Sequence, residues 1–146
     1  ASSLMLLSAI MGTNFTLSSP EGYEVPDEII ERAHEISNKT GAKIRIVHDP
    51  FEAVKNSDFI YTDVWASMGQ EHEKEKREKI FRPYQVNREL VSRAPNHVKI
   101  MHCLPAHRGE EITDEILDSD ASIVLRQALN RLYTEISLFV FLYGES

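Results

Sequence analysis

Short apolar runs alternate with longer helical patterns along this chain. Residues 1–12 read as an apolar helix closed by Gly12. A strand is predicted near Asn14–Leu17, followed by the turn Ser18-Ser19-Pro20-Glu21-Gly22. Pro26 and Asp27 open a helix that carries Ile29, Ile30, Ala33 and Ile36 on one face and ends near Gly41. Residues 43–47 alternate with period two, as a strand does. Asp49-Pro50 starts a short helix through Val54, and Phe59–Thr62 is the next strand. The charged run Glu71–Arg82 precedes a helix near Asn87–Arg93 and the strand Val98–Met101. Thr113-Asp114-Glu115-Ile116-Leu117 reads as a short capped helix, Ser122–Leu125 as the last strand, and Ala128–Leu142 as the final helix.

Strands alternating with helices at this spacing specify βαβ units. The predicted class is α/β: a doubly wound, mainly parallel sheet with helices on both faces, Rossmann-like. A domain of that class usually begins with a strand, whereas this pattern begins with a helix. The expectation is therefore a sheet lacking its first strand, in a chain that starts inside a larger protein. At 146 residues, with no repeat or linker dividing them, the expectation is one domain over 1–146.

Composition narrows the function classes. The apolar share of 42% and charged share of 27% are ordinary for a soluble chain. A net charge of −7 argues against a nucleic-acid surface, which is normally basic. Cys103 is the only cysteine, which excludes an intramolecular disulfide and fits a reducing, cytoplasmic setting. The apolar start superficially resembles a signal peptide but lacks a basic leader. The apolar stretch Ile136–Tyr143 is far shorter than the roughly 20 residues that cross a bilayer, so no membrane partner is expected. The charged run pairs Glu73 with Arg77 and Glu75 with Lys79 at i,i+4, as on a solvated helix.

Two loops hold the candidate chemistry: Asp63-Val64-Trp65-Ala66-Ser67-Met68-Gly69 and His102-Cys103-Leu104-Pro105-Ala106-His107-Arg108-Gly109. Each directly follows a predicted strand, and open parallel sheets bind ligands beyond the carboxyl ends of their strands. Asp63 either holds an ammonium group by charge-assisted hydrogen bonds or bonds the following amides in an Asx-type turn. Cys103 is either an inert, partly buried thiol or a ligand-contacting group poised by His102. A metal site from His102, Cys103 and His107 lacks a second ligand cluster to complete it. Arg131 can offer its guanidinium fork to a phosphate or carbonyl oxygen, or simply face solvent.

Together these loops resemble the ornithine carbamoyltransferase family. Asp63-Val64-Trp65-Ala66-Ser67-Met68-Gly69-Gln70 is similar to its ornithine loop, and His102-Cys103-Leu104-Pro105 to its His-Cys-Leu-Pro loop. The likeness continues through Pro20–Glu24 and Phe81–Asn87 and covers nearly the whole chain. The sister aspartate enzymes lack Ser-Met-Gly and the cysteine. The family fold has two α/β domains, and this chain is similar to the second, ornithine-binding one only; the Ser-x-Arg-Thr phosphate loop and the His-Pro-x-Gln segment have no counterpart here.

The resemblance implies transfer of a carbamoyl group from carbamoyl phosphate to the δ-amine of L-ornithine, giving citrulline and phosphate without metal or organic cofactor. It implies that Asp63 and Ser67 hold the α-amino group and that Met68 closes over it. Cys103 would lie beside the δ-amine, Cys103 and Leu104 would contact the carbamoyl group, and Arg131 would polarise its carbonyl. It implies trimers or multiples of trimers for the complete enzyme, negligible turnover for this chain alone, and a last helix whose Ile136, Leu138, Phe139, Phe141 and Leu142 lack a partner here. Arg126 and Leu129 replace the family's two acids before Asn130-Arg131, and Tyr133-Thr134-Glu135 replaces its His-x-Gln. A non-catalytic binding or interaction domain of the same fold is the alternative. A flavodoxin-like or dinucleotide-binding domain would need the Gly-x-Gly-x-x-Gly fingerprint, which is absent.

Overall fold

The computed structural model describes residues 1–66 and 73–144, in two compact units, Ala1–Lys55 and Asn56–Ser146. In the first unit, helix α1 (Ser2–Met11) stops at Gly12, whose φ of 71° is left-handed. Strand β1 (Phe15–Ser18) follows, then α2 (Asp27–Thr40), β2 (Ile44–Val47) and α3 (Pro50–Val54). Asp27 and Glu28 lie in the first turn of α2 and Lys39 in its last, which suits the helix dipole at both ends. The Asp49 carboxylate caps α3 by accepting from Phe51 N–H at 2.8 Å, with Pro50 in the first turn.

β1 and β2 pair in parallel, Phe15 opposite Ile44 through Ser18 opposite Val47. Met5, Ala9, Val25, Ala33 and Ile44 form the core of this unit, with Ile29, Ile30 and Ile36 packed against it. The face predicted for α2 is thus the one that packs. Ala9 and Ala33 are wholly buried, and small side chains there let α1 and α2 approach closely. Thr40 Oγ1 ties the helices by donating to Ala9 O at 2.7 Å.

Gly41 ends α2 at φ 81°, its N–H donating to Ser37 O at 2.8 Å. No atom lies within 4 Å of a Cβ built there, so only the backbone conformation opposes a side chain. Gly41→Ala is expected to destabilise the fold by roughly 1–2 kcal/mol in urea unfolding, the cost of a left-handed L-residue. An unchanged midpoint would show that α2 ends by another route.

The second unit contains β3 (Phe59–Thr62), α4 (Lys74–Phe81), a 3-10 turn over Arg82–Tyr84, α5 (Arg88–Val91), β4 (Lys99–His102), α6 (Asp114–Leu117) and α7 (Val124–Tyr143). β3 and β4 are parallel, Phe59 opposite Lys99 and Thr62 opposite His102. On α4 the Glu73–Arg77 pair forms at 3.1 Å, while Glu75 and Lys79 do not pair. Asn87 caps α5 through Leu90 N–H, but Thr113 makes no such bond at α6 and its buried hydroxyl has no partner among the described residues.

The last predicted strand is a correction. Ser122–Leu125 contributes one bridge, Ser122 to Ile100, flanked by Ile123 N–H donating to Ile100 O at 2.9 Å. The helix then begins at Val124, because Leu125-Arg126-Gln127-Ala128-Leu129 is a run of strong helix formers that outweighs the short β-branched stretch. Along α7 only Val124 is buried, and Phe139 and Phe141 are 62% and 84% exposed.

Candidate functional site

The site is built on the carboxyl ends of β3 and β4. Because strand side chains alternate, Tyr61 and Asp63 share one face with Met101 and Cys103, their neighbours in register across the pair. Asp63 and Cys103 each stand one residue past their strand, where the sheet no longer consumes their polar groups. The Cys103 thiol donates to Asp63 Oδ1 at 2.9 Å. That same oxygen accepts Val64 N–H at 2.8 Å. The turn and the ligand-facing readings of Asp63 therefore do not compete: one oxygen serves the turn and the thiol.

Cys103 is raised to about 11, first by burial, then by its hydrogen bond to Asp63 and by the carboxylate charge. A hydrogen bond with Tyr61 and the backbone pull partly the other way. At neutral pH the group is a thiol, a hydrogen-bonding partner and not a nucleophile.

His102 is buried, and its ring is committed on both sides. Nδ1 accepts Leu104 N–H at 2.8 Å, so the proton sits on Nε2, which donates to Glu111 Oε1 at 3.0 Å. Glu111 is wholly buried and also accepts His107 N–H at 2.6 Å. Burial pushes its carboxyl up, but the His102 and His107 donors and its own backbone outweigh this and hold it below the usual carboxylate range. Glu111 Oε2 has no hydrogen-bond partner among the described residues. The His102 bond holds Leu104 at φ 57°, a left-handed conformation that costs a non-glycine residue roughly 1–3 kcal/mol. Leu104 joins Pro105 through a cis peptide.

The far end of this loop is anchored by the segment Phe81–Asn87. Gln85 Nε2 donates to Gly109 O at 3.0 Å and to Glu110 O at 2.7 Å, and Arg82 donates to Gly109 O at 2.8 Å. Val86 exchanges backbone bonds with Glu111 and Thr113. Trp65 of the first loop is buried and stacks on Phe81, with centroids 6.4 Å apart. The segments that carry the sequence resemblance are thus the ones that shape both loops.

The structure brings together Asp63, Cys103 and Leu104. Ser67 and Met68 lie outside the described residues. Arg131 is exposed on α7 and makes no hydrogen bond or ion pair among the described residues. The metal set His102, Cys103, His107 is not assembled, since both His102 nitrogens are engaged elsewhere. Among the described residues, His107, Glu110 and Glu111 do bring ligand atoms within 4.8 Å of one another, and the Lys74 ammonium already sits 2.8 Å from Glu110. Sequence reasoning missed Glu111 and Gln127, whose Oε1 accepts His102 N–H at 3.0 Å. The first sits in a strongly polar run that reads as surface, and the second carries no motif.

Parallel strand pairs alternating with helices, one pair carrying an acid and a thiol past its ends, define an α/β chain of Rossmann-like type. Comparison with known proteins then specifies it. Residues 1–142 match the family described as aspartate/ornithine carbamoyltransferase, Asp/Orn binding domain, and the chain belongs to that family. It is 52% identical over 141 residues to the ornithine carbamoyltransferase of Bacillus thuringiensis subsp. konkukian, covering 97% of this chain and 44% of that protein. Its fold is similar to the ornithine carbamoyltransferase structure from Pyrococcus furiosus, with TM-score 0.91 at 48% identity, covering 96% of this chain and 45% of that one. The anabolic ornithine carbamoyltransferase structure from Campylobacter jejuni also gives TM-score 0.91, at 37% identity, over 97% of this chain and 46% of that one. These likenesses carry the α/β class read from the sequence. The chain spans about half the length of the relatives it matches.

Proposed function

We propose that this chain supplies the ornithine half of an ornithine carbamoyltransferase site as one domain, 1–146. The observation that carries the reading is the Cys103–Asp63 hydrogen bond at the ends of two parallel strands, within a chain whose relatives are named for this activity. A carboxylate on one edge suits an ammonium group. A thiol kept protonated suits contact with a neutral amine, which a thiolate would instead compete with for the carbonyl carbon.

Asp63 and Ser67 hold the α-amino group, with Met68 closing over it. Cys103 lies beside the δ-amine, and Cys103 and Leu104 contact the carbamoyl group. The neutral δ-amine attacks the carbamoyl carbon, the bond to the phosphate oxygen breaks, and the amine loses a proton, giving citrulline and phosphate. Arg131 polarises the carbonyl oxygen. Holding both substrates in line is an orientation effect of roughly 7–11 kcal/mol, and each donor on the developing oxyanion adds about 2.7–4 kcal/mol. Carbamoyl phosphate binds mainly through a second domain. The complete enzyme is then a trimer or a multiple of trimers, cytoplasmic, with no metal or organic cofactor.

The test is citrulline formation from ornithine and carbamoyl phosphate. A complete two-domain enzyme containing this chain is expected to form citrulline, and the 146-residue chain alone is not. A complete enzyme that binds ornithine and forms no citrulline would overturn transfer in favour of a binding domain.

A further inference from the structure

The segment that enters α7 continues the edge of β4, and one side chain completes what its backbone leaves undone. On the side of β4 away from β3, Ile100 N–H donates to Ala121 O and Ile100 O accepts Ile123 N–H, both at 2.9 Å. A parallel ladder carried one step further would send His102 N–H to Ile123 O. That carbonyl is already taken: it accepts Gln127 N–H at 2.8 Å, the first helical bond of α7. His102 is 1% exposed, so its N–H needs a partner within the protein. Gln127 Oε1 is that partner, accepting at 3.0 Å.

Gln127 thus stands on both sides of one exchange. Its backbone N–H occupies the carbonyl that the strand would have used, and its side-chain carbonyl takes that carbonyl's place. The donor is an N–H, so the amide must turn its oxygen to it. Only one register of α7 permits this, because a shift of one residue would rotate position 127 by about 100° around the helix. The bonds of the His102 ring, to Glu111 and Leu104 N–H, act on the loop beyond and leave the backbone N–H to Gln127. The next residue along is Cys103, whose thiol donates to Asp63 Oδ1 at 2.9 Å. One turn along α7, on the same side as Gln127, is Arg131.

We infer that Gln127 is a positioning residue: by extending the β4 ladder with its side chain, it holds the backbone entering Cys103 in register with Asp63 and fixes the rotation of the helix that carries Arg131. Its part in transfer rests on the carbamoyltransferase reading; its hold on Cys103 does not.

Gln127→Met keeps the length of the side chain and the helix propensity but offers only a weak acceptor. Backbone amide exchange of the full chain reads the bond. In Gln127→Met the His102 amide is expected to exchange roughly tenfold faster, while the Ile100 and Ile123 amides of the same bridge keep their rates. Cys103 is the only cysteine, so alkylation by iodoacetamide reads the hold on its thiol. Released from Asp63, it is expected to react roughly three- to tenfold faster at mildly alkaline pH. Gln127→Glu retains an oxygen acceptor at the same reach and is expected to restore both wild-type rates. If Gln127→Met does not fold, Gln127→Asn reads the same bond, since its amide sits on a shorter stem.

An unmoved His102 amide, an unchanged alkylation rate or no restoration by Gln127→Glu would overturn the inference. So would acceleration of all three amides together, which would show that the side chain only stabilises α7. The role in transfer is scored separately, in a complete enzyme. There Gln127→Met is expected to lower kcat roughly ten- to a hundredfold and to change the ornithine KM less than about twofold. Asp63 still binds the α-amino group, while the groups that align the reacting atoms shift. Unchanged kcat, or an effect on KM alone, would remove the role in transfer. A wild-type enzyme that forms no citrulline would instead sink the transfer reading, and exchange and alkylation would still decide the hold on Cys103.

Discussion

Asp63→Asn in a complete enzyme is expected to weaken ornithine binding on the order of 10- to 100-fold while leaving carbamoyl phosphate affinity nearly unchanged. The magnitude follows from the roughly 1.5–3 kcal/mol of a hydrogen bond to a charged group. Asparagine keeps the size of the side chain and the acceptor for Val64 N–H, so the turn after β3 survives. What disappears is the negative charge, which the α-ammonium requires and the anionic acyl phosphate of the carbamoyl donor does not. Calorimetric titration with each substrate separates the two affinities. Equal loss of both would remove the assigned role. The substitution also deletes the carboxylate that raises the Cys103 thiol, so the thiol pKa is expected to fall from about 11.

Glu111→Ala is expected to cost about 2–5 kcal/mol of stability. The substitution strands two donors at once, the buried His102 Nε2–H, which costs roughly 1–3 kcal/mol when left unpaired, and the part-buried His107 N–H, and it leaves a cavity. In urea unfolding the midpoint should fall with little change in slope. A change within about 0.5 kcal/mol, the size usual for surface sites, would show that the loop is held some other way. The pH dependence has a defined sign. The folded carboxyl lies below its unfolded value, so its contribution is complete above the unfolded pKa. It is lost as pH falls through the lower, folded value, and Glu111→Gln should flatten that acid limb.

The effects of these substitutions are expected at different levels. Asp63 lies where the strand ends and ligands bind, so its loss is read in affinity. Glu111 lies beneath, and its loss is read in folding. With His102 fixed as the Nε2–H tautomer, Leu104 N–H keeps its acceptor and the left-handed Leu104 its support.

Much of this domain was legible in one dimension. The period-two run at Ile44–Val47, the short apolar run at Phe59–Thr62 and the helical face of Ile29, Ile30, Ala33 and Ile36 are local patterns, and local patterns suffice where one face must be buried. The ends of α1 and α2 were marked by Gly12 and Gly41, whose left-handed φ few other residues adopt readily. Asp63 and Cys103 could be named because each directly follows a strand.

Other features exist only once the chain is folded. A single bridge at Ser122 replaces the expected last strand, since helix propensity beyond it competes with pairing at a distance. Glu111 reads as a solvated acid among charged neighbours, yet it is wholly buried because Val86 and Gln85 pull its loop inward. The tautomer of His102 and the bond from Gln127 to the end of β4 depend on partners up to 25 residues apart. Periodicity records which side of an element faces inward; it carries no record of which polar atom meets another across the fold. The sequence by itself determined the elements and where the site would lie, and the tertiary structure decided how its hydrogen bonds run, because pairing is set by distance in space and not along the chain.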